Sequence, residues 1–252
     1  MKDKTTVGLI GCGAIGTVLA EAIERKLVIC DELAVFDVDN SKAQKLKSSL
    51  KSPVTVVGSL DELIALKPKI IVEAASQQAA RECVPKITAA NIELIVMSTG
   101  ALLGLSGDLS RVHAPAGAIG GLDALSSAAM AGIEEVVLTS RKNPKALGRD
   151  NASEALVYSG FAEEAAKLFP REMNVAATLA LTVKPAKVKV LVISDPAVKR
   201  NTHEIQVKWR YGEMFLRFAN DPHPDNPHTS ALAAWSAIRL LQTLLRAVSV
   251  SV

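Results

Sequence analysis

Cysteine is scarce in this 252-residue chain, and the three present, Cys12, Cys30 and Cys83, are odd in number and far apart. No CxxC pair occurs. That argues against a disulfide framework or a cysteine-rich zinc site, no metal site is expected, and a reducing, cytoplasmic compartment is. Aromatic residues make up only 4% of the chain, and there are four histidines, His113, His203, His223 and His228. Imidazole chemistry therefore has few candidates. Neither sign of charge dominates: 29 Lys and Arg against 26 Asp and Glu leave a formal +3, too balanced for a nucleic-acid binder. Long hydrophobic runs are missing as well, and no signal-peptide core precedes the first apolar segment. The most apolar stretch, 231–248, is interrupted by Arg239, Gln242 and Arg246 at helical spacing. It reads as an amphipathic helix and not as a membrane span.

What is present is a core. Hydrophobic residues are 49% of the chain and charged residues 22%, which suits a folded globular protein of one large or two small domains. Twelve of the 15 glycines lie at or before Gly132, whereas eight of the nine aromatics lie at or after Tyr158. Two domains of different construction are expected, packed together, since no repeat or Pro/Ser-rich linker separates them.

The first half alternates short apolar runs with helical ones. Residues 5–10, 33–36, 54–57, 70–73 and 93–97 read as strands; 14–26, 41–50, 60–66 and 77–90 read as helices. The strands are continuous Val/Ile/Leu runs, as expected when both sheet faces are covered by helices. Regular βαβ alternation gives an α/β fold with a doubly wound parallel sheet.

Directly after the first strand comes Gly11-Cys12-Gly13-Ala14-Ile15-Gly16, a GxGxxG at a helix start. The first glycine permits the tight turn, the second lets backbone approach a pyrophosphate, and the third lets helix pack on strand. Gly11, Gly13, Ala14, Ile15 and Gly16 are thus candidate cofactor contacts, with the helix N-terminus facing the phosphates. Asp37, 21 residues beyond Gly16 at the end of the second strand, suits the adenosine ribose hydroxyls and would repel a 2′-phosphate. No arginine follows it, so NAD is favoured, with NADP the alternative. The plainer role for Asp37 is an ordinary turn residue. Ala75, Ser76 and Thr99 lie at two further strand ends, where small residues leave room for a long cofactor.

After Gly121 the pattern changes to α+β. Residues 133–139, 155–158, 188–194, 203–209 and 213–219 read as strands, 161–168 and 174–182 as helices, and 227–248 as a final helix. The expected division is a dinucleotide-binding Rossmann domain over residues 1–120, to which the helix within 227–252 returns. Residues 121–226 form a smaller substrate-binding and dimerisation domain. A homodimer is expected because the second sheet needs its second face covered and its strands carry Trp209, Phe215 and Phe218.

In residues 203–209, His203, Ile205, Val207 and Trp209 alternate with polar residues, so a period of two puts His203 on the buried face at the strand's beginning. It is either a satisfied core histidine or an inward imidazole at a cleft edge, suited to general-base work near neutral pH. Asn174 is placed to cap its helix and to face a cofactor as well.

Taken together, these motifs resemble those of the L-aspartate dehydrogenase family. The resemblance rests on Val7–Gly16, on Val72-Glu73-Ala74-Ala75-Ser76-Gln77-Gln78-Ala79 and on Met97-Ser98-Thr99-Gly100-Ala101. It continues through Gly117-Ala118-Ile119-Gly120-Gly121-Leu122-Asp123-Ala124, Ser140-Arg141-Lys142-Asn143, and Phe169-Pro170 followed by Asn174-Val175-Ala176-Ala177-Thr178. It ends with Asn201-Thr202-His203-Glu204-Ile205 and Asn226-Pro227-His228-Thr229-Ser230. The family implies NAD(P)-dependent oxidative deamination of L-aspartate to iminoaspartate, or the reverse from oxaloacetate and ammonia, supplying iminoaspartate for NAD biosynthesis. It implies His203 as the catalytic residue and Ala118 and Asn174 as cofactor contacts. Asn226, Thr229 and Ser230, with Arg141 and Lys142, are candidates for the substrate carboxylates. One departure is visible: His228 stands where the family pattern has lysine. The other readings are a dehydrogenase or reductase of like architecture for homoserine- or dihydrodipicolinate-type substrates, and a non-catalytic NAD-binding regulatory protein.

Overall fold

The computed structural model describes residues 4–170, 173–223 and 226–246, with backbone only for 226–229. The chain divides into two compact units, Met1–Pro115 with Ala234–Val252, and Ala116–Ala233.

The first unit is a doubly wound sheet. Its strands are β1 (Thr6–Ile10), β2 (Glu32–Phe36), β3 (Val54–Val56), β4 (Ile70–Glu73), β5 (Glu93–Val96) and β6 (Val112–His113). They lie in the order β3-β2-β1-β4-β5-β6, every pair parallel. Helices α1 (Ala14–Glu24), α2 (Asn40–Ser49), α3 (Leu60–Ala65) and α4 (Gln77–Ala89) make the crossovers. Strands β1 and β4 are buried throughout, which is why they read as unbroken apolar runs. Side chains start three of the helices: Asp39 accepts from Ser41 N–H, Ser59 from Glu62 N–H and Ser76 from Ala79 N–H. The strand order reverses between β1 and β4, and ligands of such sheets sit at the carboxyl ends of the strands there.

The second unit holds a mixed five-stranded sheet. Its elements are α5 (Leu122–Ala131), β7 (Ile133–Lys142), β8 (Ala155–Phe161), α6 (Ala162–Leu168), α7 (Asn174–Thr182), β9 (Val188–Ser194), β10 (Asn201–Trp209) and β11 (Gly212–Asn220). The order is β11-β10-β7-β9-β8, with β7 and β9 parallel and the other neighbours antiparallel. Helices α6 and α7 pack on β9 and α5 on β10, so one sheet face forms the core. A two-strand ribbon of β12 (Pro222–His223) and β13 (Asn226–Ser230) precedes α8 (Ala231–Leu245). Within the first unit, Gln242 Nε2 donates to the Leu27 carbonyl at 2.6 Å.

Four sequence expectations are corrected. The final helix begins at Ala231 and not at 227, because Asn226–Ser230 pairs as a strand; Pro227 has no N–H to give a helix and biases Asn226 to extended backbone. Helix α5 was not anticipated: it is Ala/Ser-rich with a weak apolar stripe, and is bracketed by Gly121 and Gly132 at positive φ. Strand β7 runs on to Lys142, and β10 begins at Asn201, so His203 is the third residue of its strand and not its first. Among the described residues no helix is long and apolar enough to cross a membrane.

Candidate active site

The Gly11–Gly16 turn is shaped by sterics. Gly11 has φ +93°, and a Cβ there would sit 2.7 Å from the Ala74 carbonyl oxygen. A Cβ on Gly16 would fall 2.1 Å from the Gly11 carbonyl oxygen, so only glycine lets α1 close on the turn. Around Gly13 nothing lies within 4 Å of such an atom, and no side chain caps α1. The first turn of α1 also carries no acidic residue. Free N–H groups, a positive helix end and open space over Gly13 fit a dinucleotide pyrophosphate. Ala14 and Ile15 form the helix start, half-buried. Asp37 accepts from Cys12 N–H (2.7 Å) and Asp39 N–H (2.9 Å), which pins its carboxylate between the turn and the end of β2. Burial, then the charge of Asp37, push the Cys12 thiol up to about 12, so it stays protonated.

Beside this turn lies a group that sequence reading passed over. Glu73, the last residue of β4, is fully buried. Its carboxylate accepts from Ala75 N–H (2.8 Å), Ser76 N–H (3.0 Å), Ser98 N–H (3.1 Å) and Ser98 O–H (2.9 Å). One side chain thereby ties the ends of β4 and β5. Burial raises its pKa against the pull of those donors. The available signal was an acid closing an otherwise apolar strand. Ala75 and Ser76 are exposed, Ser76 capping α4, and Thr99 is buried at the start of a 3-10 turn.

In the second unit the chemistry is made of side chains. On the core face of the sheet, Val192, Ser140, His203 and Phe218 form one row across β9, β7, β10 and β11. Ser140 Oγ lies 3.0 Å from His203 Nδ1, and both residues are buried. Lys142, two residues beyond Ser140, is 2% exposed, as is Asn201, two before His203. Burial, and secondarily the Lys142 charge, push His203 down from 6.5 to about 3. The imidazole is therefore neutral at pH 7, and the same burial weakens it as a proton acceptor. Among the described residues Asn201 Nδ2 is a buried donor without an acceptor, a state that costs about 1–3 kcal/mol. No cluster of three or more His, Cys, Asp or Glu among them suits a metal ion.

Comparison with known proteins places both units. Residues 123–244 match the family model "Aspartate dehydrogenase, C-terminal", and 11–120 match "Homoserine dehydrogenase, NAD binding domain". An L-aspartate dehydrogenase from Archaeoglobus fulgidus is 42% identical over 94% of this chain and 97% of its own length. One from Methanosarcina barkeri is 36% identical over 97% and 98%. The chain belongs to the L-aspartate dehydrogenase family. A crystal structure of aspartate dehydrogenase from Thermotoga maritima superposes with a TM-score of 0.73 at 29% identity, covering 99% of this chain and 100% of that one. A myo-inositol dehydrogenase from Lactobacillus casei bound to NAD(H) and myo-inositol shares the fold alone, at 15% identity over 85% of this chain and 74% of its own, with a TM-score of 0.53. The chain is an oxidoreductase, and NAD is its cofactor.

The other residues expected from the family pattern fall as follows. Ala118 is buried, and its carbonyl accepts from Asn220 Nδ2 at 2.8 Å. Asn174 is the first residue of α7; Met173 occupies the capping position, so the capping expected of Asn174 is not what it does. Ser230 is buried at the end of β13, while the side chains of Asn226 and Thr229 lie outside the described residues, as does that of His228. Arg141 points away from the Lys142 face and is held by Glu154 and, at 2.8 Å, by Asp195, so its guanidinium is already committed. Of the three aromatics on which the dimer expectation rests, only Phe215 lies on the open sheet face, 61% exposed. Phe218 shares the His203 row, and Trp209, on the same side, meets the Tyr211 ring at 5.5 Å.

Proposed function

We propose that the chain catalyses the NAD-dependent oxidative deamination of L-aspartate to iminoaspartate, which water converts to oxaloacetate and ammonia, or the reverse amination. The observation that carries this reading is the buried, neutral His203 held by Ser140 beside a buried lysine, in a chain of this family. NAD, when bound, supplies the hydride acceptor at its nicotinamide ring. The Gly11–Gly16 turn and the α1 N-terminus hold the pyrophosphate, and Asp37 takes the ribose hydroxyls and disfavours NADP. Ala75, Ser76, Thr99, Ala118 and Asn174 contribute further cofactor contacts.

With Nδ1 engaged by Ser140, Nε2 of His203 takes a proton from the substrate amine, or from the water that attacks the imine carbon. An anionic substrate opposes the Lys142 contribution and raises the proton affinity of the imidazole in the complex. Asn226, Thr229 and Ser230 are assigned to the substrate, the first unit to the cofactor and the second to substrate and dimerisation. The open sheet face supports a homodimer: it carries Phe215 on β11, opposite Gln206, and Val137, Thr139, Leu191 and Ile193 on β7 and β9. The product iminoaspartate is assigned to NAD biosynthesis in the cytoplasm. Absorbance at the NADH band with NAD and L-aspartate tests the activity, and L-homoserine and L-alanine serve as comparison substrates. Reduction of NAD with none but L-aspartate is expected; equal or faster turnover of L-homoserine would overturn the assignment.

A further inference from the structure

The row next to Ser140 and His203 holds polar groups that the reaction outlined above leaves unused. Lys142 lies opposite Ser194 on β9. The antiparallel ladder of β7 and β10 pairs Thr202 with Arg141, and continued one residue it sets Asn201 opposite Lys142. Side chains directly opposite on one face have Cβ atoms about 5 Å apart, and successive rows lie roughly 7 Å apart along the strand. The Lys142 and Asn201 side chains therefore leave neighbouring strands on the core face, one row from the imidazole. Ser194 O–H is turned aside, donating to Asn151 Oδ1 at 2.6 Å. Both Lys142 and Asn201 are 2% exposed, and the amide nitrogen has no acceptor.

We propose that Lys142 and Asn201 form the subsite for one carboxylate of the substrate. The proposal rests on the reading of the chain as an L-aspartate dehydrogenase and adds the side chains that select a dicarboxylate. Two donors, one of them charged, match the two oxygens of a carboxylate, which has no proton to offer and needs only donors. A group spaced a few ångströms from an amine can reach this row while its amine meets His203. The missing acceptor for Asn201 Nδ2 is then the substrate itself. A buried amide kept for architecture would have found its partner within the fold, as Glu73 does.

Asn201→Ala, Asn201→Asp and Lys142→Met in the full chain test this, read by NAD titration, thermal melting and steady-state kinetics. Succinate, an unreactive dicarboxylate, serves as the binding probe. In Asn201→Ala the KM for L-aspartate should rise about 10- to 100-fold while NAD affinity holds. Its melting temperature should match or exceed that of the parent, because no hydrogen bond is lost. Succinate should raise the melting temperature of the NAD-bound parent and not of this variant. Asn201→Asp should be worse for binding, since it sets a negative charge against the carboxylate. Lys142→Met should lose L-aspartate binding, with Lys142→Arg recovering part of it. A folded Asn201→Ala enzyme with unchanged KM and an unchanged succinate shift would overturn the subsite. Parent protein that melts higher with succinate yet never reduces NAD with L-aspartate would instead overturn the assigned reaction and leave the subsite standing.

Discussion

The first unit buries a carboxylate and surrounds it: Glu73 accepts three backbone N–H groups and one hydroxyl, and its effect is to join two strand ends. The second unit buries a lysine, a neutral imidazole and an amide, and leaves the amide nitrogen without an acceptor. A satisfied buried charge organises backbone, whereas an unsatisfied buried donor lowers stability and persists where a ligand completes it. The dinucleotide cradle proposed for the first unit is made of glycines, amides and a helix end. The polar row of the second is made of side chains on rigid strands. Substitution should therefore act on folding and cofactor affinity in one unit, and on turnover in the other.

The largest effect on turnover should come from His203→Ala. If the imidazole is the general base, kcat on L-aspartate falls by about 10²–10⁴-fold while NAD still binds. If it is a core residue only, the change chiefly lowers stability by about 1–3 kcal/mol, and the folded fraction turns over normally. Thermal melts, NAD titration and kcat on one purified variant separate these outcomes.

Glu73→Ala should do the reverse. It strips the acceptor from four donors, each worth about 1–3 kcal/mol when buried and unpaired, so the protein should melt far lower or fail to fold. Glu73→Gln, which keeps the shape but turns one acceptor into a donor, should fall between. A Glu73→Ala protein as stable as the parent would remove the contrast between the units.

Asp37→Ala should weaken NAD binding by about 1.5–3 kcal/mol, while NADP binds relatively better. Titration of both cofactors is the measurement. Unchanged constants for both would reduce Asp37 to the turn role that its bonds to Cys12 and Asp39 already give it.

The parts of the molecule that could be read in advance share a cause. Strands β1 to β5 and their helices follow from periodicity, the turn from Gly11 and Gly16, where a side chain would clash, and the inward His203 from alternation along its strand. Reading stopped where apolar alternation stopped. Lys142, Asn201 and the end of β7 continue a ladder whose inward residues are polar, so pattern alone ended those strands early. Glu73 shows its role only through Ser98, 25 residues away. Arg141 looked like a carboxylate ligand because nothing local reveals Asp195 and Glu154 beside it. Long-range partners decide such residues, and local sequence does not carry them.

The sharpest test of the comparison is a dependence of stability on pH. His203 is held neutral by burial and, next, by Lys142, with a pKa near 3 in the fold against 6.5 in an unfolded chain. Ser140 on β7, which can serve either tautomer, and Phe218 on β11 complete its row. Between those two values the unfolded chain binds a proton that the folded chain refuses, so stability falls as pH falls. The contribution is complete above pH 6.5, lost progressively below it, and flat again below about 3. Its slope is at most about 1.4 kcal/mol per pH unit. Glu73 acts oppositely, since burial raises its pKa and its share of stability is lost as pH climbs past 4.5. Denaturant unfolding of the parent and of His203→Gln, from pH 4 to 8, isolates the histidine: the difference between the two should vary below pH 6.5 and be constant above it. A difference independent of pH would mean that the folded protein tolerates an imidazolium there, and that the histidine is neither buried nor neutral in solution.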